Sequence, residues 1–371
     1  MKVVFIWRGP SPYRVNFFNE LGKYCDVTVL FEMRPLDIKD KNQSWFDENY
    51  NNFKAIYLKG KFYFNRYWFC KDIIKYINLL KSADIVVVGM YSTPTQMLLI
   101  NLLRILNIPY VLNSDGGFIK TDNKLTSFVK KYFITGAKAY LSSGDMTSEY
   151  LKYYGAQNLI YKYPFTSAMK ADVTIKTDSE TKKIVRRKLG ISNDIVFLFS
   201  GQFIHRKGID ILLKACKSLP NNCGVYIVGG KASLEYLEII KNLELNNIYF
   251  IDFKTPKELS QYYLASDIYV LPTREDIWGL VINEAMAYGL PVLTTYQCLA
   301  GMELIKNGEN GFLFDCNETD KLHEYMIRLS QDAYMRQRMS IANKKKIQSY
   351  TIENMALEHF SIFKSILKKQ N

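Results

Sequence analysis

The sequence predicts an α/β protein made of two doubly wound domains that face each other across a cleft. Three observations carry this. Short β-branched or aromatic runs alternate with longer stretches of helical period along all 371 residues. A polar, charged seam near residues 166–190 (SAMKADVTIKTDSETKKIVRRKLG from 167) interrupts the alternation, which then begins again. The charge is also unequal across the seam. The chain carries 49 Lys and Arg against 36 Asp and Glu, yet residues 1–190 hold 29 basic and 16 acidic side chains while 191–371 hold 20 of each. The length is about two to three times that of a single-core domain.

In the first half KVVFIW (2–7), DVTVLF (26–31), AIYL (55–58), DIVVVG (84–89), YVLNS (110–114) and AYLSS (139–143) read as buried strands. Residues 14–23, 68–81 and 94–106 read as helices. The second half repeats the scheme with IVFLFSG (195–201), GVYIVGG (224–230), IYFIDF (248–253), IYVLPT (268–273) and PVLTT (291–295). Helical stretches fall near 208–218, 233–243, 256–264 and 279–288. The predicted domains are therefore residues 1–167 and 168–349, with an amphipathic C-terminal helix in 350–371 that packs back on the first. In doubly wound folds ligands bind at the carboxyl ends of the strands, which here line the cleft.

Composition narrows the function. With 48% hydrophobic, 14% aromatic and 23% charged residues the chain is globular, not disordered or collagenous. Six cysteines without a CxxC pair read as reduced thiols of a cytoplasmic protein. MKVVFIWRGPSPYRV is too short in its apolar run for a signal peptide, and no stretch of 18 apolar residues occurs, so the protein is expected to be cytoplasmic or peripheral on the inner face of a membrane. No GxGxxG follows the first strand. Gly229-Gly230-Lys231 has the wrong spacing for a phosphate loop. The three histidines, His205, His323 and His359, all lie in the second half of the sequence, and no Asp-x-Asp occurs to hold a metal on a nucleotide diphosphate. No metal and no cofactor are expected.

Two segments carry chemistry. In SGQFIHRKGIDILLKA (200–215) a strand leads through a turn to Arg206 and Lys207, just before a helix start that also favours anions. The pair would hold a diphosphate by charge-assisted hydrogen bonds, or would be two solvated cations of an ordinary turn. In PTREDIWGLVINEAMAYGLPVLTT (272–295) an acidic loop with Asp276 leads to a helix starting at Gly279. The amides of Gly279, Leu280 and Val281 form an anion-binding helix start, and Glu284 would lie behind it, placed to accept both hydroxyls of a ribose. A surface acidic loop above a buried helix is the alternative.

These segments resemble the nucleotide-sugar-binding core of the GT4 family of retaining glycosyltransferases, which have the GT-B fold of two Rossmann-like domains. The resemblance rests on Gly201 followed by Lys207-Gly208, and on Asp276-x7-Glu284 followed by Ala285, Met286, Ala287, Gly289, Pro291 and Val292; NGENGFLFD (307–315) also matches. It covers most of the second half and only the fold pattern of the first. It implies that Lys207 holds the donor diphosphate, Glu284 the ribose, the amides of 279–281 the distal phosphate, and the first acid the transferred sugar. That acid is Asp276 where the family has Glu, with Glu275 beside it able to reach in its place. Gln202 stands where an Arg is often found, so Arg206 would supply the missing charge. The base would pack near Gly230 and Phe253.

In the first half RGPSPYR (8–14) would line the cleft. Gly9 would permit close backbone approach, and Arg14 would bind a phosphate or an acidic sugar, or else lie on a solvated helix face. In NSDGGFIK (113–120) Asp115, read as exposed, would take or orient an acceptor hydroxyl, or simply make a turn. KGKFYFNRYWFCKDIIKYINLLK (59–81) and FVKKYF (128–133) mix basic and aromatic residues. That mixture suits an anionic membrane surface, nucleic-acid stacking, or a basic surface over an aromatic core. The reading preferred is transfer of a sugar from a nucleotide-diphosphate donor such as a UDP-sugar to a glycan or lipid-linked acceptor in surface polysaccharide synthesis, with no nucleic acid bound. A sugar phosphorylase or nucleotide-sugar epimerase, and more remotely a basic nucleic-acid-binding protein, are the alternatives.

Overall fold

The computed structural model describes residues 1–38, 43, 46, 49–63 and 67–369. The chain forms two compact units, Met1–Thr166 together with the segment from Ile352 onward, and Ser167–Thr351.

The first unit holds β1 (Lys2–Trp7), β2 (Asp26–Phe31), β3 (Lys54–Tyr57), β4 (Lys61–Tyr63), β5 (Tyr67–Phe69), β6 (Ile85–Val88), β7 (Val111–Ser114), β8 (Ala139–Ser142) and β9 (Ile160–Lys162). Seven of them form one parallel sheet in the order β3-β2-β1-β6-β7-β8-β9. The winding reverses between β1 and β6, the doubly wound arrangement the alternating runs predict. β6, at the centre, is buried along its whole length, as its uninterrupted Ile and Val require.

Residues 68–81, expected as one helix, are instead β5, a 3-10 segment Lys71–Tyr76 and a short helix Ile77–Lys81. β4 and β5 pair as an antiparallel hairpin. The Trp68 indole N–H donates to the Glu32 carbonyl (2.7 Å) and the Cys70 amide to Thr95 Oγ1 (3.0 Å). These tertiary bonds take residues 67–70 out of the helix that their period allows. Residues 64–66, inside the basic-aromatic stretch, lie outside the described residues.

The C-terminal helix Ile352–Lys368 belongs to the first unit and packs on helix Pro12–Leu21. It carries His359 into the core between Phe17 (ring centroids 4.6 Å) and Tyr163 (4.4 Å). The reading that no histidine accompanies the first half is therefore corrected: sequence position placed His359 in one half, and the returning helix places it in the other unit. Burial drives its pKa down to about 3. Between that value and the ordinary ~6.5 the unfolded chain takes up a proton that the folded one refuses. Stability of this unit should then fall with pH across that window, by up to ~1.4 kcal/mol per pH unit from this group. Urea titrations at several pH values should show a shallower slope for His359→Gln than for the wild type; equal slopes would contradict it.

The second unit holds β10 (Ile195–Ser200), β11 (Cys223–Val228), β12 (Ile248–Ile251), β13 (Ile268–Leu271), β14 (Val292–Thr295) and β15 (Gly311–Phe314), all parallel in the order β12-β11-β10-β13-β14-β15. Helix Ser179–Leu189 of the charged seam belongs to this unit. Its five basic residues therefore leave the first half's account: the first unit carries 25 basic and 15 acidic side chains, the second 24 and 21. β9 and β15, at the sheet edges, were not distinguished in the sequence.

Candidate functional site

In the second sheet the winding reverses between the neighbours β10 and β13. Loops leaving the carboxyl ends of two strands at such a point diverge and leave a ligand crevice. The loop after β10 carries Arg206 and Lys207; the loop after β13 carries Glu275 and Asp276. The two motif segments, about 70 residues apart, are thus brought together by topology.

Their contacts are specific. Lys207 Nζ is ion-paired with Asp276 Oδ2, both side chains about one-eighth exposed. Arg206 Nη1 lies 3.6 Å from Asp276 Oδ1 and donates to the Glu275 carbonyl. The Arg206 carbonyl accepts from Thr273 Oγ1 (2.9 Å) and the Arg274 amide (2.8 Å). Arg274 then grips Asp210 with both nitrogens at 2.8 and 2.6 Å. Burial pushes the Asp210 carboxyl up, but the Arg274 fork outweighs it and holds the group below the usual carboxylate range. Arg274 and Asp210 were not singled out in the sequence; one strand-end basic residue looks like another until the turn it clamps is known. Asp276 is buried, so it is an ion-pair partner of Lys207 and not an exposed loop acid.

Glycines set the backbone here. Gly208 has φ +71°, and a Cβ on it would lie 1.9 Å from the Pro272 carbonyl oxygen. Gly279 has φ +95°, with the Cys298 sulfur 2.7 Å from where a Cβ would stand. A side chain at Gly208 would force the two loops apart, and one at Gly279 would push the helix start off the segment after β14. Gly279 starts the helix Leu280–Ala287, whose first-turn amides at 279–281 have no acceptors within the helix.

Glu284 lies on that helix. Its Oε1 accepts from Ser167 Oγ (2.8 Å) and its Oε2 from the Tyr263 hydroxyl (2.9 Å). Ser200 Oγ links Tyr263 (2.9 Å) to Tyr269 (3.0 Å). Burial raises the Glu284 carboxyl above its ordinary pKa, and the Ser167 and Tyr263 bonds offset part of that rise. Ser167 and Tyr263 carry no motif; only the fold brings them to Glu284.

Of the other expected residues, Gly201 and Gln202 follow β10, Gln202 being exposed. Gly230 lies against the Phe203 ring, 3.4 Å from its Cβ position. Phe203 meets Phe250 and Tyr236 edge-on (ring centroids 5.8 and 6.4 Å), making an aromatic cluster at Gly230. Phe203, which the sequence reading passed over, is the ring at Gly230; Phe253 is half-buried a few residues after β12.

In the first unit Arg14 corrects the reading of a solvated or ligand-facing cation. It is 1% exposed, its guanidinium 4.2 Å from the Trp7 ring and 4.8 Å from Phe165, and ion-paired with Asp115 Oδ1. Burial works against its charge, and Asp115 more than restores it. Asp115 is half-buried, not exposed: Oδ1 also accepts from Asn113 Nδ2 (2.8 Å) and the Tyr163 hydroxyl (2.9 Å). Gly9 is buried against the Ile38 side chain, which a Cβ would meet at 2.7 Å. Its small size therefore serves packing within the unit. Among the described residues no group of three or more His, Cys, Asp or Glu is arranged to hold a metal ion, and no helix is long and apolar enough to cross a membrane.

The second unit thus has a doubly wound sheet with a basic turn, an acidic partner loop and a helix start at one crevice. Residues 181–346, a little under half of the chain, match the family model of glycosyl transferases group 1, so the second unit is similar to that group, and the fold is GT-B. The chain is 26% identical over 312 residues, 82% of each chain, to an uncharacterized glycosyltransferase of Haemophilus influenzae. Its fold is that of Anabaena HepE, solved in complex with UDP (TM-score 0.77, 18% identity, 98% of this chain and 100% of that one). It is also that of WaaG, a glycosyltransferase involved in lipopolysaccharide biosynthesis (TM-score 0.70, 18% identity, 97% and 99%).

Proposed function

We propose that the protein is a retaining glycosyltransferase that moves a sugar from a nucleoside diphosphate donor, such as a UDP-sugar, to a glycan or lipid-linked acceptor of a surface polysaccharide, working at the cytoplasmic face of a membrane. The observation that carries this is the juncture of Arg206 and Lys207 with Asp276 at the β10/β13 reversal, beside the helix start at Gly279. Fixed donors converge there on one place, which is what a leaving diphosphate requires as its negative charge grows. Lys207, Arg206 and the amides of 279–281 hold the diphosphate, Glu284 the ribose, the aromatic cluster at Gly230 the base, and Asp276 or Glu275 the transferred sugar. UDP in HepE and the lipopolysaccharide role of WaaG support the substrate classes. The first unit carries the acceptor, with Asp115 orienting its hydroxyl.

In the reaction the bond from the anomeric carbon to the diphosphate oxygen breaks as the bond to the acceptor oxygen forms on the same face. The acceptor proton passes to the leaving diphosphate oxygen. With cationic side chains neutralising the diphosphate, no divalent metal is needed, and turnover should survive EDTA; strict dependence on added manganese or magnesium would contradict this. Thermal-shift screening of nucleotide sugars, UDP-glucose among them, tests the donor class, since a ligand at 100 times its Kd adds roughly 2.7 kcal/mol. NMR of the product then reads the anomeric configuration, and inversion would overturn the mechanism. Ribose binding needs the ionised carboxylate, so UDP affinity should weaken as pH falls through the raised pKa of Glu284. An affinity unchanged well into the acid range would remove Glu284 from the ribose.

A further inference from the structure

We propose that helix Lys124–Ile134, with the adjoining end of helix Pro94–Ile105, is an in-plane element that seats the first unit on an anionic lipid surface. One face of the helix is ordinary core: Phe133 and Ile134 are buried in the cluster that covers the sheet, and Val129 packs against it. The other face is not ordinary. Leu125, Phe128 and Tyr132 are 73, 65 and 41% exposed, and their spacing of i, i+3 and i+7 lines them along one stripe.

The stripe continues onto the neighbouring helix. The Tyr132 hydroxyl donates to Asn101 Oδ1 (2.5 Å), and Arg104 donates to the Tyr132 carbonyl (2.6 Å) with its guanidinium 4.7 Å from the ring. Asn101, Arg104 and Ile105 share one face of their helix, and Ile105 is 74% exposed. Hairpin β4–β5 lies at the other end of that helix, where the Cys70 amide bonds Thr95, and presents exposed Phe62, Tyr63 and Tyr67.

Charge names the partner. Residues 119–138 contain five lysines and one acid. That acid, Asp122, is engaged by Lys130 at 2.7 Å, while Lys124 and Lys131 are exposed beside the stripe. Aliphatic and aromatic side chains flanked by ammonium groups match acyl chains beneath anionic headgroups. Leu125 and Ile105 offer nothing to a base that must stack, so nucleic acid fits less well. The proposal deepens the reading of a lipid-linked acceptor and rests on it for its purpose alone.

The test is co-sedimentation of the full chain with vesicles of phosphatidylcholine, with and without phosphatidylglycerol. These contain no donor or acceptor, so failure here leaves nucleotide binding as a separate result. The wild type should bind the anionic vesicles and be released by salt. Leu125→Gln/Phe128→Gln should lower partitioning by about tenfold or more, as loss of two inserted apolar side chains requires. Lys124→Gln/Lys131→Gln should lower it by a comparable factor at low salt, at about 1 kcal/mol for each basic residue. Phe128→Trp keeps the apolar face, and its emission should shift to the blue on anionic vesicles alone. No binding by the wild type, or full binding by Leu125→Gln/Phe128→Gln, would overturn the proposal. So would conversion of a dimer to a monomer by that variant, which would assign the stripe to a second copy of the chain.

Discussion

Lys207→Ala is expected to cut turnover by about 10²-fold or more, the usual cost of removing one fixed donor to developing charge. Lys207 is well placed for a large effect because its ammonium is mostly shielded from water and cannot be replaced there by a mobile ion. The variant has a second consequence. Asp276 loses its close partner and keeps only Arg206, 3.6 Å from its other oxygen. A carboxylate left in a crevice meant for a diphosphate repels the donor. Steady-state kinetics with the donor found by screening should therefore show KM rising together with the fall in kcat. Arg206→Ala should cost less, its side chain being 41% exposed and open to solvent screening. A Lys207→Ala enzyme within a few-fold of wild type would remove this residue from the mechanism.

The largest stability effect is expected in the first unit. Breaking a buried ion pair from one side costs ~3–5 kcal/mol, because the other charge is left without a partner. The two sides of the Arg14–Asp115 pair are not equivalent. Asp115 has a side chain 27% exposed and can turn towards water; Arg14, at 1% and boxed by Trp7, Tyr13, Phe17 and Phe165, cannot. Asp115→Ala should therefore destabilise more than Arg14→Met, which leaves an apolar chain among aromatic rings. Urea unfolding of the two variants compares them directly. A larger loss for Arg14→Met would show that the aromatic box, not the ion pair, holds this region.

Much of the fold was legible because buried parallel strands are short unbroken apolar runs, and KVVFIW and DVTVLF coincide with β1 and β2 residue for residue. The two segments that meet at the β10/β13 reversal were legible because a basic turn and a Gly-started helix each follow a strand end. What was hidden depends on distance in space. Arg14 sits at a buried position of helix Pro12–Leu21, where amphipathic reasoning sends a charge to solvent; only Asp115, 101 residues on, makes its burial affordable. His359 was counted with the second half by sequence position, although the helix that carries it was itself expected to pack back on the first unit. Ser167 and Tyr263 became visible only through Glu284. The hairpin β4–β5 was hidden because a run such as YWFCKDIIKY has both periods, and tertiary bonds to Glu32 and Thr95 choose between them.

The division of labour between Glu284 and Asp276 is the centre of the account, and calorimetric titration of UDP and GDP into the full chain tests it most directly. The wild type should bind one of the two. Glu284→Ala should weaken that binding by about tenfold or more, the worth of hydrogen bonds between a buried carboxylate and ribose hydroxyls. Asp276→Ala should keep it, or tighten it, because Lys207 is then released to the diphosphate, while turnover with the sugar donor falls. Loss of nucleotide binding by Asp276→Ala as complete as that by Glu284→Ala, or no binding of either nucleotide by the wild type, would contradict the account.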